Sequence, residues 1–152
     1  MLKDKKIAVL GAGHMAAALI GGMLKSKLTE SKNITATRRS QEPLEELRRR
    51  FDIHATTDNK RAVRGANIVI LTIKPQMAAA VLDEIAPVCD KKQLFVSVMA
   101  GIKTEFITAR LRKPNPVVRA MPNTPAFVDE AATALAGGAH ATEADLKTAE
   151  SI

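Results

Sequence analysis

The 152-residue chain has few of the residues that build disulfides and metal clusters. Cys89 is its one cysteine, which excludes an internal disulfide and a thiolate cluster. The three histidines, at positions 14, 54 and 140, are far apart, so we expect no metal site. The chain has no apolar run near the ~20 residues of a membrane span, and its basic N-terminus lacks a signal-peptide cleavage site. We therefore expect a cytoplasmic protein that has no membrane partner.

Aromatic side chains are also scarce, with no Trp, no Tyr and four Phe. The net charge of +7 is concentrated in the first half of the chain: residues 1–65 contain 14 Lys/Arg and 7 Asp/Glu, whereas residues 66–152 contain nine of each. A basic half could attract nucleic acid, but single strands are bound largely through aromatic stacking, for which this chain has few side chains. A smaller anion fits the composition better, and we expect no nucleic-acid partner.

Short β-branched runs alternate with helix-like segments along the chain. This alternation predicts βαβ units and an α/β fold, namely a doubly wound, Rossmann-type, mostly parallel sheet flanked by helices. No repeat or linker is visible, so residues 1–152 are expected to form one domain. The predicted strands are 7–10, 34–37, 68–73, 94–98 and 116–120, with short ones near Ile53 and over 131–136. The predicted helices are 15–25, one opened by Pro43, one opened by Pro75, one near Thr104 and a brief one after Asp58.

The last segment, residues 141–152, begins like a helix. Thr142 is a plausible N-cap, and Asp145 follows three residues later, close to a capping-box arrangement. The segment then ends at Ile152 without the glycine, basic turn or proline that usually closes a helix. We therefore expect the chain to be the N-terminal part of a longer protein.

The stretch Gly11-Ala12-Gly13-His14-Met15-Ala16 follows a predicted strand and opens a predicted helix. That context is the one a dinucleotide-binding G-x-G-x-x-G/A fingerprint requires. Gly11 would allow the tight turn, Gly13 would let a pyrophosphate approach the backbone, and Ala16 would keep the helix close to the sheet. Unpaired N–H groups at the helix start, aided by the helix dipole, would hold the phosphates. Alternatively, the glycines only make a strand-to-helix turn.

A second motif, "TRRS", closes the second predicted strand. NAD-binding versions of the fold place an Asp or Glu there, which binds the ribose 2′-hydroxyl. Here Arg38, Arg39 and Ser40 occupy that place, and their charge favours a 2′-phosphate, so we predict NADPH in preference to NADH. The alternative is a solvated basic loop. The similar run at 48–50 lies inside a predicted helix and is interpreted as a solvated face.

Three further segments follow predicted strands: residues 72–76, 97–102 and 119–125. Ligands of open α/β sheets bind outside the carboxyl ends of the strands, so these loops should converge on one crevice. Lys74 is a candidate catalytic residue there, although it could equally be an exposed lysine. The substrate-side candidates are Met121, Asn123 and Thr124, of which the last two also suit an ordinary proline-framed turn.

Read in order, "GAGHMAAALIGG", "TRRS", "TTDN", "TIKPQ", "SVMAGI" and "VVRAMPNTPAFV" closely resemble the N-terminal domain of the pyrroline-5-carboxylate reductase family over nearly all of the chain. The resemblance implies NAD(P)H-dependent reduction of 1-pyrroline-5-carboxylate to L-proline, the last step of proline biosynthesis. It implies that Asn59 contacts the adenosine side, and that Thr72, Ile73, Lys74, Pro75 and Ala100 contact the nicotinamide half. Two residues depart from the family pattern: His14 replaces Asn or Gln, and Ala131 replaces glycine.

A protonated imine accepts hydride directly, so this chemistry needs no side-chain nucleophile. The family carries its substrate-carboxylate loop and its dimer-forming helices in a C-terminal domain, which implies a homo-oligomer for the full-length proteins. We expect residues 1–152 to lack that domain, and so to bind NADPH but to reduce the imine poorly. Two alternatives remain: another NADP-dependent reductase, such as a β-hydroxyacid dehydrogenase relative with a different substrate loop, and a non-catalytic NADP-binding module.

Overall fold

The computed structural model describes residues 2–122 and 133–152. Its strands are β1 (Ile7–Leu10), β2 (Ile34–Thr37), β3 (His54–Thr56), β4 (Ile68–Leu71), β5 (Leu94–Ser97), β6 (Val117–Pro122) and β7 (Thr133–Gly137). Its α-helices are α1 (His14–Lys25), α2 (Gln41–Phe51), α3 (Asn59–Val63), α4 (Ala78–Ile85), α5 (Thr104–Leu111) and α6 (Glu143–Ser151). Two 3-10 turns, Ser31–Asn33 and Pro75–Met77, precede β2 and α4.

The seven strands form one sheet in the order β3-β2-β1-β4-β5-β6-β7. Strands β1 to β6 are parallel, and β7 pairs antiparallel with β6. The predicted doubly wound, mostly parallel architecture is therefore confirmed. The strand order reverses between β1 and β4, and in folds of this kind a crevice opens outside the carboxyl ends of the strands at that point.

Helices cover both faces of the sheet, which is why the central strands are apolar along their whole length. All four residues of β1 are buried: Ile7 and Val9 pack with α1 and α2, whereas Ala8 and Leu10 pack with α3, α4 and α5. Helix α6 contributes Ala149 to the core on the α1 side. The crevice is thus framed by rigid, fully packed elements.

Two helix starts differ from the prediction. Helix α2 begins at Gln41, so Pro43 is its third residue rather than its first. Proline is tolerated there because none of the first N–H groups of a helix has an intrahelical partner. Pro75 opens a 3-10 turn, and α4 proper begins three residues later at Ala78. The predicted brief helix after Asp58 is confirmed, with the Asp58 carboxylate capping it by accepting from Arg61 N at 3.1 Å.

The predicted strands 68–73 and 94–98 end earlier, at Leu71 and Ser97, because the carboxyl ends of the neighbouring strands are level. Leu10 lies in register with Leu71, and Leu71 with Ser97, so β1, β4 and β5 end level with one another. Among the helices of residues 2–122 and 133–152, none is long and apolar enough to cross a membrane.

Candidate functional site

Three loops that are distant in sequence meet at the carboxyl edge of the sheet. The carbonyl of Thr37, the last residue of β2, accepts hydrogen bonds from Gly11 N at 3.1 Å and Ala12 N at 2.8 Å. The hydroxyl of Thr72, just after β4, donates to Leu10 O at 2.8 Å and to Gly11 O at 3.0 Å. The loops after β1, β2 and β4 therefore form one connected surface.

Gly11 is required by the fold itself. Its φ of +94° lies in the left-handed region that favours glycine. A Cβ on Gly11 would lie 2.7 Å from both Ile73 N and Ile73 Cγ2, closer than real Cβ atoms come to other atoms. The first glycine of the motif is therefore needed because the segment after β4 packs directly against it.

Gly13 is not explained in that way. It is the N-cap of α1 with φ −116°, a conformation open to any residue. The nearest atom that a Cβ would meet is Gly11 O at 3.9 Å, an ordinary contact distance. No described protein atom therefore needs a glycine at this position, and the space beside it is open for a group from outside the chain.

The start of α1 also suits a negatively charged group. Its first turn has no acidic residue, and Gly13 offers no side chain to cap the free N–H groups. Ala16 is fully buried against the sheet, whereas His14 is exposed and Met15 is partly buried. The helix therefore begins close to the sheet, with its positive end directed to the crevice.

The basic segment after β2 borders the same loop. The Arg38 guanidinium donates through Nη1 to Ala12 O at 2.9 Å. Arg39 and Ser40 are exposed, and Ser40 is the N-cap of α2 without a side-chain capping bond. Arg38 therefore contacts the glycine loop directly, and Arg39 and Ser40 follow it in the segment where a 2′-phosphate site was predicted.

The structure shows a polar chain that the sequence did not reveal. Thr37 Oγ1 donates to Asn59 Oδ1 at 2.6 Å, and Asn59 Nδ2 donates to Glu84 Oε2 at 3.1 Å. Thr37 is buried, so its hydroxyl fixes the orientation of the Asn59 amide beside the crevice. Glu84 could not be identified from a motif, because its reach to Asn59 depends on how α4 packs beside α3.

The remaining predicted residues differ in how far their side chains are exposed to solvent. Thr72 and Ile73 are partly buried, whereas Lys74, Pro75 and Ala100 are exposed. Met121, near the end of β6, is 52% exposed. The other two substrate-side candidates, Asn123 and Thr124, lie outside the described residues, as does Ala131.

A cavity of about 660 Å³ lies between α1, the ends of β5 and β6, β7 and the end of α6. Met15, Val98 and Pro122 line it, together with apolar residues of the α1 face. Because Met15 belongs to the glycine motif, this cavity adjoins the start of α1. The edge therefore offers both a polar loop and an apolar recess.

Among the described residues, two sites with displaced pKa values, the Cys89 thiol and the Glu30–Lys32 ion pair, lie at the opposite, amino-terminal edge of the sheet. Burial raises the pKa of the Cys89 thiol, an effect that the nearby Lys113 ammonium partly offsets. The hydrogen bond and charge of Lys32, whose Nζ lies 2.7 Å from Glu30 Oε2, lower the pKa of that carboxyl group. Neither group belongs to the candidate site.

Comparison with known families identifies the fold that carries this edge. Residues 6–101 match the family described as NADP oxidoreductase coenzyme F420-dependent. The chain belongs to this family. The matched region runs from just before β1 to the loop after β5, and it includes the glycine loop, the basic segment and residues 72–75.

Similar curated proteins carry a more specific name. Over 150 residues, the chain is 37% identical to pyrroline-5-carboxylate reductase 1 of Bacillus spizizenii, an alignment that covers 98% of this chain and 50% of that protein. Over 148 residues, it is 39% identical to pyrroline-5-carboxylate reductase of Pseudomonas aeruginosa, with coverage of 97% and 54%. The chain thus spans about half the length of the curated relatives it matches.

A solved structure agrees with the sequence relatives. The pyrroline-5-carboxylate reductase of Coxiella burnetii superposes with a TM-score of 0.91 at 30% identity, covering 97% of this chain and 54% of the other. The resemblance to pyrroline-5-carboxylate reductases is therefore confirmed by both sequence and structure.

Proposed function

We propose that the chain is the dinucleotide-binding domain of an enzyme that reduces 1-pyrroline-5-carboxylate to L-proline, with NADPH preferred over NADH. The observation that carries the proposal is Gly13: the protein itself leaves open the space that a Cβ would enter, beside a helix start suited to phosphate. The family description and the names of the relatives support the reaction class.

The residues at this edge fit the cofactor in a consistent order. Gly11 to Ala16 would hold the pyrophosphate against the start of α1. Arg38, Arg39 and Ser40 would hold the 2′-phosphate, and Asn59, fixed by Thr37, would contact the adenosine side. The nicotinamide half would lie against Thr72, Ile73, Lys74, Pro75 and Ala100.

When bound, the reduced cofactor supplies the hydride that the imine carbon accepts. The task left for this chain is to orient the two rings and to exclude water from them. The exposed Lys74 ammonium at the end of β4 would donate hydrogen bonds near the nicotinamide. Met121 would border the substrate at the end of β6, together with Asn123 and Thr124.

The test is a paired fluorescence titration with NADPH and NADH, repeated on Arg39→Ala. We expect wild-type protein to bind both and NADPH more tightly, because charge-assisted hydrogen bonds contribute about 1.5–3 kcal/mol each. Losing one should weaken NADPH binding by about ten- to a hundredfold. Arg49→Ala, a charge removal on the exposed face of α2, is the matched control. If neither NADPH nor NADH binds to the wild-type protein, the proposal is refuted.

The chain matches about half of its relatives, and we propose that efficient reduction also requires the part that it does not match. Proline formation from pyrroline-5-carboxylate and NADPH should therefore be far slower with this chain than with the Pseudomonas aeruginosa relative. Equal turnover would show that residues 1–152 suffice for the reaction. Homo-oligomerisation, expected for the full-length family, stays a prediction.

A further inference from the structure

The glycine loop, residues 11–13, is fastened to the end of β2 by three hydrogen bonds. Two of them join backbone groups, Gly11 N and Ala12 N, to Thr37 O. The third comes from a side chain, because Arg38 Nη1 donates to Ala12 O at 2.9 Å. The Ala12 carbonyl is therefore held by a charged donor that lies 26 residues away in the chain.

Holding that carbonyl also sets the direction of the next N–H group. Ala12 C=O and Gly13 N–H belong to one planar trans peptide, in which the two groups point in opposite directions. Gly13 is the N-cap of α1, and Gly13 N already donates to Gly11 O at 2.8 Å. The Arg38 contact thus fixes the peptide plane immediately before the helix start, where the pyrophosphate would bind.

The neighbouring arginine has different surroundings. Arg38 and Arg39 are both exposed, but within residues 2–122 and 133–152 Arg39 makes no hydrogen bond or ion pair. Arg38 uses one of its five N–H donors on Ala12, which leaves the others for further contacts. The two adjacent arginines cannot be distinguished from the sequence, but they differ in the structure: Arg38 is hydrogen-bonded to the glycine loop and Arg39 is not.

We infer that Arg38 is a positioning residue for the pyrophosphate loop, so that it supports the binding of NADH as well as NADPH. Arg39 acts on the 2′-phosphate alone. This inference rests on the proposed function, because it assumes that a dinucleotide binds at the glycine loop. It goes further in assigning Arg38 an effect on a cofactor that has no 2′-phosphate.

The test uses NADH as the deciding probe, with Arg38→Ala, Arg38→Lys, Arg39→Ala and Arg49→Ala compared by fluorescence titration. Arg38→Ala should weaken NADH binding by about tenfold, the effect of losing one charge-assisted hydrogen bond at a partly exposed site. Arg38→Lys retains a cationic donor and should restore part of that loss. Arg39→Ala should weaken NADPH binding more than NADH binding, and Arg49→Ala should change neither.

The outcomes separate the inference from the proposed function. If wild-type protein binds no dinucleotide, the proposed function fails. If it binds NADH and Arg38→Ala leaves that affinity unchanged, the inference alone is overturned and Arg38 is reduced to a phosphate contact. Thermal unfolding of each ligand-free variant shows whether the fold is intact. Should Arg38→Ala unfold, Arg38→Met, which keeps a long side chain but has no donor, replaces it, and an unchanged NADH affinity of that variant overturns the inference.

Discussion

At the scale of single residues, the two glycines of the loop differ in what the surrounding structure requires of them. Gly11 is needed because its backbone is left-handed and Ile73 lies against it. Gly13 has an ordinary backbone and no neighbour that a methyl group would touch closely. The two glycines therefore combine one position that the fold constrains with one that the described protein atoms leave open.

The pair Gly11→Ala and Gly13→Ala separates these causes. Gly11→Ala should lower the free energy of unfolding by more than 1 kcal/mol, since strain in the left-handed region and a clash with Ile73 backbone add together. Gly13→Ala should lower it by less, about 0.5–1 kcal/mol for the poorer N-cap, yet weaken NADPH binding by about tenfold or more. Urea unfolding and fluorescence titration measure the two effects.

The NADPH affinity of Gly13→Ala is the measurement that can contradict this prediction. If Gly13→Ala binds NADPH as tightly as wild-type protein while remaining folded, then the open space beside Gly13 is not where the pyrophosphate lies. The two variants are each other's control, because they introduce the same methyl group two residues apart in the same loop.

At the scale of secondary structure, the sequence predicted which elements exist better than where some of them end. The bounds of β1 and β2 are as predicted, because a buried parallel strand is a short β-branched run stopped by glycine or charge. Helix α2 was placed too late, because Pro43 suits any position in the first turn and not only the first residue. Local composition alone does not distinguish these positions.

Helix α6 offers a prediction at this scale. Thr142 Oγ1 accepts from Asp145 N at 3.2 Å, and Asp145 Oδ2 accepts from Thr142 N at 2.8 Å, which completes the predicted capping box. Thr142→Ala should therefore lower the free energy of unfolding by about 1 kcal/mol in urea denaturation. Thr142→Ser keeps the hydroxyl and is the control. Equal destabilisation by both variants would show that the lost methyl group, rather than the cap, matters.

At the scale of the whole molecule, a mostly parallel sheet with loops that converge at its carboxyl edge could be predicted, because βαβ units place all carboxyl ends on the same side. The side-chain contacts within the candidate site could not be predicted from the sequence. Arg38 reaches Ala12 and Glu84 reaches Asn59 only because of how β2, α3 and α4 pack, and no spacing in the sequence encodes those distances. The motif therefore predicted the candidate site, and the tertiary structure shows which of its residues contact one another.

The distribution of charge leads to a prediction about the whole domain. The excess of +7 lies entirely in residues 1–65, which supply the glycine loop, the basic segment and Asn59. Because NADPH carries an additional phosphate, its attraction to this half should be screened more strongly by salt, given a Debye length of about 10 Å at 0.1 M and 3 Å at 1 M. Raising NaCl from about 0.05 to 0.5 M should weaken NADPH binding several times more than NADH binding.

Titrations at a series of NaCl concentrations measure the two salt slopes. Arg39→Ala should bring the NADPH slope closer to that of NADH, because the variant removes one of the charges assigned to the extra phosphate. Arg49→Ala removes an equal charge from the exposed face of α2 and should leave the difference between the slopes nearly intact, since long-range attraction falls off beyond the Debye length. Identical slopes for both cofactors in wild-type protein would mean that the basic half does not select NADPH by charge.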